Sequence, residues 1–304
     1  MNPATGSDDG LVSWAAVAAG GRARLAAAGA SQAALDVRRL IEEVTGCEPG
    51  QYHATLELPA TVKALARFDA MVLRRAAGEP LQYVLGRWGF RYLDLLVDPR
   101  VLIPRPETEI VVDVALGEIE RLAPRRDLVA QPRITVADLG TGSGAIALSL
   151  AFECKFIDVW ATDVSDDALA VARANLAGIG RAAARVQLRS GSWFEALPRE
   201  LAGQLAVIVS NPPYVATSEA LPAEVAAWEP EMALRSGHDG LDAARHLLAC
   251  APQWLLPKGA LVLELGSEHL REAASLARRV GYGTAEIKPD LSGRERVLVA
   301  RRAG

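Results

Sequence analysis

The sequence predicts an α/β protein in which a mostly parallel, helix-flanked sheet follows a small helical domain and a short hairpin. Three observations carry that prediction. Residues 134–265 alternate between short apolar strand-like runs and helical periods, the pattern of right-handed crossovers onto a parallel sheet. Residues 1–85 show helical apolar spacing and little that reads as strand. Between them the chain breaks into β-prone runs separated by Gly89, Asp94 and Asp98-Pro99, which reads as a hairpin linker. The expected domains are therefore 1–85 (helical), 86–107 (linker) and 108–304 (α/β).

The elements follow in order. In Leu35–Val44 the residues Val37, Leu40, Ile41 and Val44 fall on one helix face, and Gly46 stands where a C-cap belongs. Val62, Leu65, Phe68 and Val72 place a second helix over Thr61–Ala77, with Gly78 after it. Phe90 and Tyr92, then Leu95–Val97, then Val101–Ile103 form the β-prone runs of the linker. The linker ends in Ile103-Pro104-Arg105-Pro106-Glu107-Thr108-Glu109, with a helix expected from about Thr108. Strands are predicted at Ile134–Asp138, Ile157–Thr162, Val186–Leu188, Leu205–Ser210 and Ala260–Leu265. Helices are predicted at Gly144–Cys154, Asp166–Ala177 and Leu241–Cys250.

Composition narrows the function classes. A chain of 304 residues can bury about 75% of its unfolded surface and needs no disulfide or metal to fold. Lys and Arg number 33 against 37 Asp and Glu, a net charge of −4. A protein that grips a nucleic-acid backbone carries a basic excess or stripe, and none is evident. The pairs Arg38-Arg39, Arg74-Arg75, Arg125-Arg126 and Arg278-Arg279 read as solvated helix faces. Cys47, Cys154 and Cys250 lie far apart and the four histidines are scattered, so no metal site is expected and the thiols fit a reducing compartment. No basic segment precedes an apolar core at the N-terminus, and no apolar run approaches the ~18 residues of a membrane helix. The expectation is a soluble cytoplasmic protein without membrane or direct nucleic-acid contact.

The first chemical motif is Val136-Ala137-Asp138-Leu139-Gly140-Thr141-Gly142-Ser143-Gly144-Ala145, joining a strand to a helix. Glycines allow a tight turn and let a ligand meet backbone without a Cβ, and the amides opening the next helix favour a polar group. Asp163, at the end of the second strand and 21 residues beyond Gly142, is placed to accept the hydroxyls of a ribose. Gly140, Gly142 and Ala145 also satisfy a dinucleotide fingerprint. Asp138 tilts the choice, because a carboxylate beneath the loop repels a pyrophosphate but suits the ammonium of S-adenosylmethionine.

The second motif, Asn211-Pro212-Pro213-Tyr214, ends an apolar strand and therefore faces the same crevice. Two prolines stiffen the backbone and remove two N–H donors. What remains is a pair of acceptors, the Asn211 amide oxygen and the Pro212 carbonyl, beside the Tyr214 ring. Such a site suits a planar –NH2 group. Its delocalised nitrogen is a poor nucleophile, and two acceptors would polarise the N–H bonds and aim it at a methyl carbon.

These residues resemble the glutamine-N5 methyltransferases of class 1 peptide chain release factors, the HemK/PrmC family. The resemblance extends through Gly78-Glu79-Pro80-Leu81-Gln82-Tyr83, Gly86, Val101–Glu109, Ser192-Trp193-Phe194, Gly240-Leu241, Leu263-Glu264-Leu265-Gly266 and Asp290–Arg296. It implies a helical domain that grips the release factor and a seven-stranded, Rossmann-like, S-adenosylmethionine-dependent methyltransferase domain. Cofactor contacts are implied at Asp138, Gly140, Thr141, Gly142, Ser143, Gly144, Asp163, Trp193 and Asn211, with S-adenosylhomocysteine as product. The glutamine of a Gly-Gly-Gln loop would be held by Asn211, Pro212, Pro213 and Tyr214, with Asn211, Pro212 and Tyr214 catalytic. Arg105 and Glu107 stand either at the pocket edge or as an exposed ion pair that fixes the linker. Ser192 departs from the pattern, standing where many relatives carry an acid for the adenine amine. The competing readings are glutamine methylation of a ribosomal large-subunit protein, methylation of an adenine amine in nucleic acid, a nucleotide-binding regulatory module, and NAD-dependent redox chemistry. The last lacks an evident catalytic His, Lys or Tyr constellation.

Overall fold

A computed structural model describes residues 12–123 and 133–304. The reading of the extreme N-terminus and of Arg125-Arg126 lies outside the described residues. The chain divides into two compact units, one ending at Gly86 and the other beginning at Arg87.

The first unit is helical: α1 (Trp14–Ala27), α2 (Ala33–Thr45), α3 (Tyr52–Leu56), α4 (Val62–Ala76) and α5 (Leu81–Leu85). The Thr61 hydroxyl caps α4 by accepting the Ala64 amide at 3.3 Å, and Gly46 closes α2 in the left-handed region at φ 70°, as its position predicts. Trp14 meets Phe68 edge to face at 6.0 Å over a core of Leu25, Val37, Leu40, Ile41 and Val72. One basic pair differs from expectation. Arg75 is not solvated: its guanidinium holds the buried Asp36 at 2.8 Å, and it also donates to the Glu79 carbonyl at 3.0 Å. A buried carboxylate requires such a partner.

The second unit opens with the hairpin β1 (Arg87–Phe90) and β2 (Leu93–Leu96), turning at Arg91-Tyr92. Phe90, Leu93 and Leu95 enter the core of this unit. Arg91 holds Glu153 at 2.6 Å and Asp113 at 2.7 Å. The β-prone run Val101–Ile103 forms no strand. Val101 and Ile103 are buried and Leu102 is half-buried, but the Ile103 amide is taken by a Glu229 carboxylate oxygen at 3.1 Å rather than by a ladder.

There follow α6 (Glu109–Leu122), β3 (Ile134–Leu139), α7 (Ala145–Glu153), β4 (Ile157–Asp163), α8 (Asp166–Gly178), β5 (Val186–Ser190) and β6 (Leu205–Ser210). The chain continues with α9 (Ala223–Trp228), α10 (Asp242–Trp254), β7 (Leu255–Glu264), α11 (Leu270–Val280), β8 (Tyr282–Pro289) and β9 (Glu295–Arg302). Seven strands form one sheet in the order β5-β4-β3-β6-β7-β9-β8. The first five run parallel, and β9 pairs antiparallel with β7 and β8. β8 is absent from the sequence prediction because it is largely half-exposed and mixed in polarity, so neither apolar runs nor clean alternation mark it, whereas β9 carries a buried apolar run, Val297–Ala300, outside the five predicted strands. The central strands are buried on both faces: Val207 and Val262 face one core with α6 and α7, while Ile208 and Leu263 face the other with α10 and α11. That is why they read as unbroken apolar runs. Strand order reverses beside β3, and the crevice beyond the carboxyl ends at such a reversal is where ligands sit in open α/β sheets. Among the described residues no helix is long and apolar enough to cross a membrane.

Candidate functional site

A cavity of about 530 Å³ opens at the carboxyl ends of β3, β4 and β6, within the 300–1,000 Å³ of small-molecule sites. Gly140, Thr141, Gly142, Ser143, Asp163, Ser192, Trp193, Asn211, Pro213 and Arg105 all line it. Asp138, Gly144, Pro212, Tyr214 and Glu107 lie outside its wall.

The glycine loop is built from below by two acids. Asp138 is fully buried. Its carboxylate accepts the Thr141 hydroxyl at 2.7 Å and the Ala147 amide at 3.1 Å, tying the loop to the start of α7. Burial pushes its carboxyl up to about 7, and its Oδ1 has no partner. Asp163 accepts the Gly142 amide at 2.8 Å and the Ser165 amide at 2.9 Å. Burial raises its pKa although these backbone bonds pull the other way. Asn175 of α8 clamps the loop from the side, donating to the Ser143 carbonyl at 2.8 Å and to the Leu96 carbonyl at 3.1 Å. Gly140 takes φ 76°, and a Cβ there would stand 3.2 Å from the Trp193 ring. Trp193 itself has a left-handed backbone, φ 46°, a strained state that persists where the surroundings enforce it. Here the Thr162 hydroxyl donates to its carbonyl at 3.2 Å.

The acceptor end is assembled from distant segments. Ser210 closes β6 by donating its hydroxyl to the Leu139 carbonyl at 2.6 Å. The Asn211 side chain donates from Nδ2 to the Thr108 hydroxyl oxygen at 3.3 Å, which leaves Oδ1 as the acceptor. Pro212 is buried. The Tyr214 carbonyl accepts from His269 Nε2 at 3.0 Å, and burial pushes its phenol up to about 12. Arg105 pairs with the buried Glu229, not with Glu107. Sequence reading does not single out Thr108, Glu229 or His269 as functional. Thr108 lies inside a quoted motif, whereas the other two carry no local signal.

The cavity fits S-adenosylmethionine better than a dinucleotide. The cations on its wall are engaged: Arg100 by Asp98 at 2.6 Å, Arg105 by Glu229, and Arg235 by Glu231 at 3.3 Å and the Ala216 carbonyl at 2.7 Å. None is left to neutralise a pyrophosphate, and the acid beneath the loop disfavours one. Among the described residues no three metal-binding side chains cluster.

The family model for the PrmC N-terminal domain matches residues 17–86, and that for the methyltransferase small domain matches residues 126–227. A release factor glutamine methyltransferase of Cereibacter sphaeroides is 41% identical over 91% of this chain and 94% of its own. One of Moorella thermoacetica is 44% identical over 92% of this chain and 95% of its own. The chain belongs to the release factor glutamine methyltransferase family. Solved structures show the fold of this S-adenosylmethionine-dependent methyltransferase more widely. The N-terminal domain of human METTL16 in complex with SAH superposes with TM-score 0.53 at 14% identity, covering 86% of this chain and 93% of that one. A methyltransferase from Pyrococcus furiosus gives TM-score 0.50 at 18% identity, over 78% of this chain and 98% of that one.

Proposed function

We infer that this methyltransferase modifies the side-chain amide nitrogen of the glutamine in the Gly-Gly-Gln loop of class 1 release factors. The observation that carries the reading is the Asn211 amide, whose Nδ2 is committed to Thr108 so that Oδ1 remains for a substrate –NH2. When bound, S-adenosylmethionine supplies a methyl group on a sulfonium, which leaves neutral and needs no acid. The chain's part is to orient, and the nitrogen releases one of its two N–H protons to solvent as it takes the methyl. Asn211 Oδ1 and the Pro212 carbonyl accept the two N–H bonds of the glutamine amide, and Tyr214 lies against its plane. Asp163 accepts the ribose hydroxyls, Trp193 covers the adenine, and Gly140 and Gly142 admit the methionine end without a Cβ. The N-terminal helices hold the body of the release factor, and the protein works in the cytoplasm beside it.

The adenine-amine reading is weaker, because a nucleic-acid backbone needs free cations and those on the cavity wall are paired. The test is mass spectrometry of a purified release factor after incubation with this protein and S-adenosylmethionine. One added methyl on the loop glutamine is expected, and an unmodified glutamine overturns the reading.

A further inference from the structure

A loop glutamine can reach Asn211 only if the body of its protein overhangs the carboxyl ends of the parallel strands. Whatever this chain raises on that side meets the substrate, and the turn between β8 and β9 is raised there. Ser210 pairs with Leu263, which sets Asn211 level with Glu264. Glu264 pairs with Val297, and Val297 with Lys288. The turn that joins Pro289 to Glu295 therefore lies beyond the level of Asn211, and the order β6-β7-β9-β8 puts it two to three strands to the side. At about 4.8 Å between strands and about 3.3 Å per residue, its tip rises roughly 10 Å above Asn211 and stands roughly 10–14 Å from it laterally.

Single exposed hydrophobic residues are ordinary on protein surfaces. What marks Leu291 is its place above the acceptor site and the bonds that fix it there. It is 94% exposed, the largest value among the described large hydrophobic residues, yet its turn is firmly made. Asp290 Oδ1 accepts the Ser292 amide at 2.9 Å, the Ser292 hydroxyl at 2.6 Å and the Arg294 amide at 3.0 Å. The Asp290 amide donates to the Arg294 carbonyl at 2.7 Å, and Gly293 supplies the left-handed residue at φ 83°. Arg294 is exposed, and its guanidinium has no partner among the described residues. A turn already fixed in this way loses little entropy on association. We propose that the Asp290–Arg294 turn is a docking contact for the release factor, with Leu291 entering an apolar recess beside the Gly-Gly-Gln loop and Arg294 meeting an acceptor at its edge. This rests on the release factor reading above, and adds to it a grip from the catalytic unit that touches neither the reacting groups nor the cofactor.

The test is steady-state methylation of a purified release factor by the full chain. Leu291→Asp should raise KM about tenfold, the lower end of what burying a leucine side chain is worth. Arg294→Ala should raise it about threefold, the scale of an exposed charge contact. Leu291→Met, close to leucine in volume, should keep KM within about twofold of wild type. In all three, kcat, the S-adenosylmethionine dissociation constant and the melting temperature should stay at wild-type values, the signature of lost binding that ground and transition states share. A wild-type KM in Leu291→Asp overturns the proposal, and so does a Leu291→Met as impaired as Leu291→Asp. A fall in kcat or melting temperature that accounts for the loss also overturns it, because the turn is then structural. A wild-type KM together with a dimer that Leu291→Asp dissolves would give the tip to a second copy of this chain instead. Absence of transfer to the loop glutamine by the wild-type protein sinks the substrate reading and the docking role with it, whereas wild-type transfer with KM unmoved in Leu291→Asp sinks the docking role alone.

Discussion

The two ends of the cavity are held together in different ways. At the cofactor end the acids that shape the glycine loop bond locally: Asp138 to Thr141 and Ala147, and Asp163 to Ser165 and Gly142, span 21 residues at most, while Thr162 to Trp193 and the Asn175 clamp on Ser143 span 31 and 32. At the acceptor end they are remote. Asn211 reaches Thr108 across 103 residues, Tyr214 reaches His269 across 55, and Arg105 reaches Glu229 across 124. A local loop can be shaped by its own turn chemistry, whereas a remote cluster exists only once the sheet has formed. Damage at the acceptor end should therefore appear in the chemical step, and damage at the cofactor end in binding.

Asn211→Ala should give the largest effect. Loss of the preorganised acceptor is expected to lower kcat by roughly 10²–10³-fold, with cofactor affinity nearly intact. Single-turnover rates and calorimetry separate the two, and a wild-type rate would reduce the Asn-Pro-Pro-Tyr segment to a structural turn.

Asp163→Ala should invert that profile. Removing hydrogen bonds to a charged acceptor costs about 1.5–3 kcal/mol, read by calorimetry as weaker S-adenosylmethionine binding. The variant also frees the Gly142 amide that Asp163 now holds. Unchanged affinity would take Asp163 out of the ribose role.

Gly240→Ala probes the acceptor end from behind. Gly240 takes φ 81°, and its new Cβ would stand 2.4 Å from the Tyr214 carbonyl and 2.8 Å from His269 Nε2. The tetrapeptide must shift, and about tenfold in kcat is expected from misplacement alone, with the cofactor dissociation constant unmoved. A matching loss of cofactor affinity would erase the distinction between the two ends.

The smallest effect is thermal. Asp138 ionises near 7 in the folded protein against an ordinary 3.8, so between these values the folded state binds the extra proton. This group's contribution to stability then falls as pH rises through that window and levels off above it. Asp138→Asn removes the titration. Its melting temperature should gain on wild type between about pH 4 and 7, and a constant difference would show that the carboxyl stays ionised.

The central strands were legible because β6 and β7 hold continuous apolar runs, and Leu205–Ser210 matches its predicted bounds. The run Val101–Ile103 misled for a specific reason. β-Branched apolar residues mark burial as readily as strand, and here Glu229 takes the backbone amide that a ladder would have used. Arg105 and Glu107, neighbours that invite pairing by charge, part company because the segment turns Arg105 toward Glu229.

By itself the sequence determined the glycine loop, Asp163 beyond the second strand and the proline-stiffened acceptor segment. Each follows from local backbone chemistry: positive φ at glycine, a missing N–H at proline, a strand that ends in a polar residue. Only the tertiary structure decided which way the Asn211 amide points, what holds the Tyr214 carbonyl and which acid takes Arg105. Those depend on groups more than 50 residues apart, brought within hydrogen-bond reach by strand order, and strand order is a property of the whole sheet rather than of any segment in it.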